Sequence, residues 1–257
     1  MSLAIVGGSG FSKIDAFECS CTHDLKTPYG KPSAAIQEGQ FFFHPVFFLA
    51  RHGLEHSILP HKINYRANIH ALKQLGVTKI IALAAVGGIA DDCEPGSLII
   101  PDQLIDYTYG REVTFYDEIG NVAHAEFTEP YSHAMREQLI LSAKNVSIDI
   151  VPAGIYAVTQ GPRFETAAEI AKLKNDGASI VGMTAMPEAV LARELGIAYV
   201  TIALSVNYAA GIKPGFIEHN DIHVAYAAAA NKLYAVLSDC IEDLLTVETD
   251  IPELIRP

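Results

Sequence analysis

Four places in this 257-residue chain set polar side chains directly after an apolar run, where chemistry is most easily placed. Arg51 and His52 follow Val46-Phe47-Phe48-Leu49-Ala50. An Arg offers a bidentate fork and a protonated His a second donor, a pairing that suits phosphate. Glu165 ends Thr159-Gln160-Gly161-Pro162-Arg163-Phe164-Glu165 just ahead of a predicted helix over residues 166–174. There a carboxylate in the first turn either meets a ligand or complements the helix dipole. Asn207 ends the longest run, residues 197–206, before Tyr208-Ala209-Ala210-Gly211. A lone amide at that point is a ligand contact or a turn former. Gly7-Gly8-Ser9-Gly10 closes the first run. Its glycines let backbone N–H groups converge on an anion, and Ser9 adds a hydroxyl. It spells neither GxGxxG nor GxxxxGK(S/T), so no dinucleotide or nucleoside triphosphate site is indicated.

The elements that must position these groups read as strands alternating with helices. Runs at residues 3–6, 79–85, 98–100, 155–158, 180–181 and 197–206 read as buried strands, and 41–43 and 46–49 as strand-like. Amphipathic helices are expected from Asn64 to a stop at Gly76, over 131–144, from Pro187-Glu188 to Gly196, and over 221–245. The pattern predicts one α/β domain over residues 1–257, a mixed and mostly parallel sheet of five or six strands flanked by helices, with residues 246–257 as a surface tail. Ligands of such sheets bind beyond the carboxyl ends of the strands. The polar stretch 106–130, with Tyr107, Tyr109, Phe115, Tyr116, His124 and Phe127, is longer than an ordinary connection and is expected to cover a pocket or meet another subunit.

Half of the residues are apolar and the mean hydropathy is +0.22, enough for a sizeable core. A net charge of −12 without any Lys/Arg block argues against a nucleic-acid partner, and no apolar run is long enough for a membrane span. Cys19, Cys21, Cys93 and Cys240 contain no CxxC, and no signal peptide is visible, so reduced thiols and a cytoplasmic location are expected. No HExxH and no Cys/His cluster marks a metal site.

Gly7-Gly8-Ser9-Gly10, Leu49-Ala50-Arg51-His52-Gly53, Asn64-Tyr65-Arg66-Ala67-Asn68-Ile69, Ala85-Val86-Gly87-Gly88, Gly161-Pro162-Arg163-Phe164-Glu165-Thr166 and Met183-Thr184-Ala185-Met186-Pro187-Glu188 occur in this order. As an ordered set they resemble the trimeric purine nucleoside phosphorylases, most closely the methylthioadenosine phosphorylase branch. The resemblance implies phosphorolysis, in which phosphate attacks the sugar C1′ and the purine leaves, with inorganic phosphate as co-substrate and no metal or redox cofactor. It implies phosphate contacts from Ser9, Arg51, His52, Thr184 and the backbone of Ala85, with His52 also in the catalytic set. Met183 falls on the ribose contact, Phe164 beside the base, and His56 near sugar and phosphate; His124 matches a position that reaches a neighbouring subunit's pocket in a homotrimer. One departure is Ala84, where relatives carry Thr or Asn, so a side-chain contact to phosphate is lost.

The base follows from donors and acceptors. Adenine-preferring relatives carry Asp where this chain has Asn207 and a second Asp at Ala209, and Ser where it has Glu165. A 6-oxopurine presents N1–H as donor and O6 and N7 as acceptors. Glu165 accepts from N1–H, and the Asn207 amide donates where an ionised carboxylate cannot. The expected substrate is therefore a 6-oxopurine nucleoside, first a 5′-methylthio one. Inosine/guanosine phosphorolysis and methylthioadenosine phosphorolysis are the alternatives; from other classes, a purine-binding sensor without turnover or a nucleoside hydrolase. The 5′ group would be read near His219, Asn220, Ile222 and His223.

Overall fold

The computed structural model describes residues 2–8, 16–215 and 219–256, the side chains of 219–223 and 228 excepted. Ten strands form one mixed sheet among these residues: β1 (Ser2–Gly7), β2 (Phe17–His23), β3 (Ile36–Phe41), β4 (His44–Ala50), β5 (Val77–Gly88), β6 (Leu98–Ile99), β7 (Gln103–Asp106), β8 (Ile155–Val158), β9 (Ile180–Gly182) and β10 (Ala198–Tyr208). The helices are α1 (Tyr65–Gln74), α2 (His133–Asn145), α3 (Ala167–Asn175), α4 (Ala185–Glu194) and α5 (His219–Thr246). The sheet runs β2-β3-β4-β1-β5-β9-β8-β7, with β10 on the other edge of β5 and β6 antiparallel to β10.

The α/β class and the mixed sheet agree with the expectation; the count of five or six strands does not. The additional strands are short or exposed. Four residues of β7 and the exposed face of β2 lack the apolar run that announces a strand buried on both faces. The run 41–43 also breaks its promise: Phe42 and Phe43 form the two-residue turn between β3 and β4, both at positive φ, and Phe43 is exposed.

β5 is the spine. Its residues alternate between two apolar layers, Ile80, Ala82, Ala84 and Val86 facing α1 and α4, Ile81 and Leu83 facing α2 and α5. The buried face of α5 is read from Ala229, Leu233, Val236, Leu237, Cys240, Ile241 and Leu244, the i, i+3, i+4 pattern of one helix face. The charged exception in β5 is Lys79, fully buried, whose Nζ donates to the carbonyls of Leu244 (2.7 Å), Leu245 (3.3 Å) and Val247 (2.5 Å). A cation among the last carbonyls of α5 satisfies acceptors the helix leaves open and opposes its dipole.

The tail after α5 is not merely surface in its described residues. Ile255 pairs with His124 through two backbone hydrogen bonds of 2.9 Å, and Val247 and Ile251 pack on the α2–α5 layer.

Candidate active site

The site is a gap in the sheet. β1 pairs with β5 only as far as Val6 opposite Ala82, and β9 joins β5 only at Gly87 and Gly88. β10 occupies the other edge throughout, so β1 and β9 share one edge of β5, and no described strand covers that edge from Leu83 to Val86. Backbone groups at alternate residues point to the same edge. Leu83 turns its carbonyl into the gap, where Arg51 Nη1 donates to it at 3.0 Å, so the N–H of Ala85 faces the gap as well. Gly8 closes one side: a Cβ there would sit 2.7 Å from the Leu83 oxygen and 2.8 Å from Arg51 Nη1. Glycine is required by that close approach.

In front of the gap lies a cavity of about 300 Å³ lined by Gly8, His52, His56, Ala84, Ala85, Phe164, Glu165, Met183, Thr184 and Asn207, with apolar walls from Ile58, Pro60, Val181 and Val206. Eight of the residues expected to contact phosphate or nucleoside are therefore in one place: His52, His56, Ala85, Phe164, Glu165, Met183, Thr184 and Asn207. Ser9 lies outside the described residues, as do the side chains at 219–223.

Arg51 stands behind the cavity wall, 1% exposed. Its Nε and Nη2 form a fork on Glu188, at 2.6 and 2.7 Å, and Glu188 is itself 0% exposed and accepts from Tyr199 Oη at 2.9 Å. Burial pulls the Arg51 guanidinium toward deprotonation, but the charge and hydrogen bonds of Glu188 outweigh it and hold it above the ordinary range. Its cation is thus balanced by a carboxylate, and one Nη1 hydrogen is left beyond the bond to Leu83.

His52 corrects the expectation of a protonated donor. The ring is 4% exposed and burial lowers its pKa to about 4, the nearby Arg51 and His56 adding to the effect. Nδ1–H donates to the Ile58 carbonyl at 2.8 Å while the Ile58 N–H returns a bond to His52 O at 3.0 Å. That tautomer leaves Nε2 as an acceptor, suited to a phosphate or sugar hydroxyl. His56, at φ +50, sets its ring 4.8 Å from that of His52.

On the opposite wall, Glu165 is not in the first turn of α3. The N-cap is Thr166, which forms a reciprocal capping box with Glu169, so Glu169 serves the helix and Glu165 precedes it. Glu165 Oε1 accepts from Thr159 Oγ1 at 2.6 Å, which orients the carboxylate in the cavity wall. Asn207 is no turn residue either. β10 continues to Tyr208, and a bulge between Ser205 and Asn207 shifts the register so that Asn207 sits opposite Gly87. A bulge turns side chains off their alternation, and here the amide lines the cavity, with Nδ2 donating to Tyr208 O at 2.7 Å. The second Nδ2 hydrogen and Oδ1 are left for a ligand. Phe164 forms the rim, 53% exposed.

Residues 2–242 match the phosphorylase superfamily. A Xanthomonas campestris pv. campestris protein named "Probable S-methyl-5'-thioinosine phosphorylase" is 51% identical over 82% of this chain and 85% of its own length. The "6-oxopurine nucleoside phosphorylase" of Pyrococcus furiosus is 48% identical over 86% and 84%. Among solved structures, a methylthioadenosine phosphorylase from Schistosoma mansoni in complex with adenine superposes with a TM-score of 0.91 at 31% identity, over 96% of this chain and 93% of that one. This chain belongs to the phosphorylase superfamily.

The phosphorylase cavity is held by a residue that sequence reading passed over. Arg111, in the loop 106–130, donates from Nη1 to the carbonyls of Met183 (2.9 Å) and Met186 (2.5 Å) and from Nη2 to that of Gln160 (2.9 Å), with Nε on Gln160 Oε1 (3.1 Å). It ties the segments that carry Glu165 and Thr184 to one another. Nothing in its local sequence marks it, because its partners are backbone carbonyls far away in the chain. The loop itself is packed against its own chain: Phe115 is buried, its N–H and the Thr114 hydroxyl both donate to Glu194, and Arg66 pairs with Glu112 and Asp117. His124 is exposed and does not line the cavity of its own chain. No described helix is long and apolar enough to cross a membrane.

Proposed function

We propose that this phosphorylase cleaves 6-oxopurine nucleosides with phosphate, S-methyl-5'-thioinosine first among them, giving hypoxanthine and 5-methylthioribose 1-phosphate. The observation that carries the reading is the pairing of Glu165 and Asn207 in the wall of one cavity whose far side is the gap at Ala85. A phosphate oxygen attacks C1′ as the C1′–N9 bond breaks, and the bonding pair leaves on the purine. The proton carried by the attacking phosphate is given up to water as one from water is taken up at N7, so that neutral hypoxanthine and the sugar 1-phosphate are released. Charge develops positive on the sugar and negative on the base, so the phosphate stabilises one and hydrogen bonds to the base the other.

In this reading His52, Thr184, the N–H of Ala85 and Ser9 hold phosphate, with the last Nη1 hydrogen of Arg51 behind them. Met183 and His56 contact the sugar and Phe164 lies on the base. Glu165 accepts from N1–H; Asn207 donates to O6 and accepts from N7–H. The reaction needs phosphate as co-substrate and no resident metal or redox group. Support for the 6-oxopurine comes from relatives near 50% identity, named for thioinosine or 6-oxopurine substrates, while the methylthioadenosine phosphorylase is 31% identical. Ile58 and Pro60, which line the cavity with His56, are in keeping with an apolar 5′ substituent beside the sugar.

We further place the enzyme in the cytoplasm as a homotrimer in which His124 reaches a neighbour's cavity. The exposed His124 and the four free thiols are in keeping with this. The test is phosphate-dependent hypoxanthine release from S-methyl-5'-thioinosine, run beside inosine and methylthioadenosine. Methylthioinosine is expected to be the best substrate; turnover of methylthioadenosine alone would overturn the base assignment.

A further inference from the structure

The strand pair farthest from the cavity brings together three side chains that no motif announced. On β2, Cys21 and His23 are two residues apart and share a face; on β3, Glu38 stands directly opposite Cys21 in the antiparallel register. Cys21 Sγ lies 3.6 Å from His23 Nε2 and 3.5 Å from Glu38 Oε2, and His23 Nε2 lies 2.8 Å from Glu38 Oε2. No sequence motif marks this cluster, since its third member comes from another strand.

These distances are those of a coordination face. With Zn–S near 2.3 Å and Zn–N and Zn–O near 2.0–2.2 Å, the edges of a tetrahedron are about 3.5–3.6 Å from sulfur to either light atom and about 3.3–3.4 Å between nitrogen and oxygen. The two sulfur edges already have those lengths. The nitrogen–oxygen edge is a hydrogen bond that would open by roughly half an ångström once a metal replaced the shared proton. We propose that Cys21, His23 and Glu38 form a surface site for a borderline-soft divalent cation of the zinc class, with water in the fourth position. Thiolate, imidazole and carboxylate together select zinc over magnesium or calcium, which take oxygen ligands. Both β2 and β3 are separated from β5 by β4 and β1, so the ion takes no part in phosphorolysis. Its effect is mechanical: it clamps the edge strand β2 onto β3 at the end of the sheet.

Cobalt(II) is the probe, added to metal-free full-length protein. One equivalent is expected to give intense tetrahedral visible bands and a thiolate-to-cobalt charge-transfer band, both displaced by Zn²⁺. Cys21→Ser is expected to abolish the charge-transfer band and His23→Gln to weaken binding at least about tenfold. Cys19→Ser should leave the band intact. Zn²⁺ should raise Tm in the wild type and not in Cys21→Ser, with phosphorolysis unchanged by a chelator. Octahedral spectra without a sulfur band, or a band that survives Cys21→Ser, would overturn the assignment and leave the cluster as a hydrogen-bonded pair with a neighbouring thiol.

Discussion

The two sides of the cavity are built on opposite principles. The phosphate side is buried and cross-linked: Arg51, Glu188 and Tyr199 form a closed array behind Gly8, and His52 is locked to Ile58 by two hydrogen bonds. The base side is assembled from a loop and a bulged strand end, with Phe164 half exposed and Glu165 and Asn207 each held by one neighbouring hydrogen bond. The difference teaches where specificity can change at low cost. A preorganised anion site spends its reorganisation energy during folding, so it serves every substrate alike. A lightly held pair such as Glu165 and Asn207 can be exchanged residue for residue without disturbing the array behind Gly8.

The largest expected effect breaks the phosphate side. Glu188→Ala leaves the Arg51 cation buried without its partner, which costs about 3–5 kcal/mol of stability. By releasing the guanidinium it also lowers kcat/KM for phosphate by roughly 10²–10³, a loss equal to removing a fixed donor from a charged transition state. Chemical denaturation and phosphate kinetics check both, and an unchanged phosphate KM and Tm would show that the array is not what organises this side.

Next is the pH dependence of stability through His52. Its folded pKa of about 4 lies below the unfolded value near 6.5, so between these limits the unfolded chain binds more protons. Stability from this group is complete above pH ~6.5 and falls by roughly 2–3 kcal/mol as pH drops toward 4. His52→Gln should flatten that part of the curve; an equally steep curve in the variant would assign the loss to other groups.

On the base side the effects are smaller and selective. Asn207→Asp is expected to shift the ratio of hypoxanthine to adenine nucleoside turnover at least tenfold toward adenine, from about 1–3 kcal/mol for a mismatched buried polar pair, with phosphate KM unchanged. A constant ratio would remove Asn207 from base reading. Phe164→Ala, at the rim, should raise the nucleoside KM only several-fold, about 1 kcal/mol of stacking. A loss as large as that of Glu188→Ala would erase the contrast between the sides.

Much of this was visible in the chain itself, for identifiable reasons. The runs that became β1, β5, β8 and β10 are buried on both faces, and continuous apolarity announces that burial. Asn64 as N-cap of α1 and the glycines at 76 and 196 in left-handed conformation were marked by local chemistry. What escaped depends on distant neighbours. Arg51 looked like an open cation because Glu188 is 137 positions away. Arg111 bonds to carbonyls, and carbonyls carry no sequence signature. Glu169 and Glu165 are four residues apart, and only the cap geometry separates the acid that serves the helix from the one in the cavity.

The sequence by itself determined the α/β class and the strand ends that carry polar groups, because continuous apolarity and side-chain type belong to the residues themselves; only the resemblance to the phosphorylases singled out Glu165 and Asn207 as a pair. Tertiary structure decided what those polar groups do. The pairing of β1 with β5 ends at Val6 and Ala82, a bulge in β10 aims Asn207, and burial strips His52 of its proton. Each of these depends on dielectric and on register between strands far apart in the chain, and neither is a property of a residue in its own sequence neighbourhood.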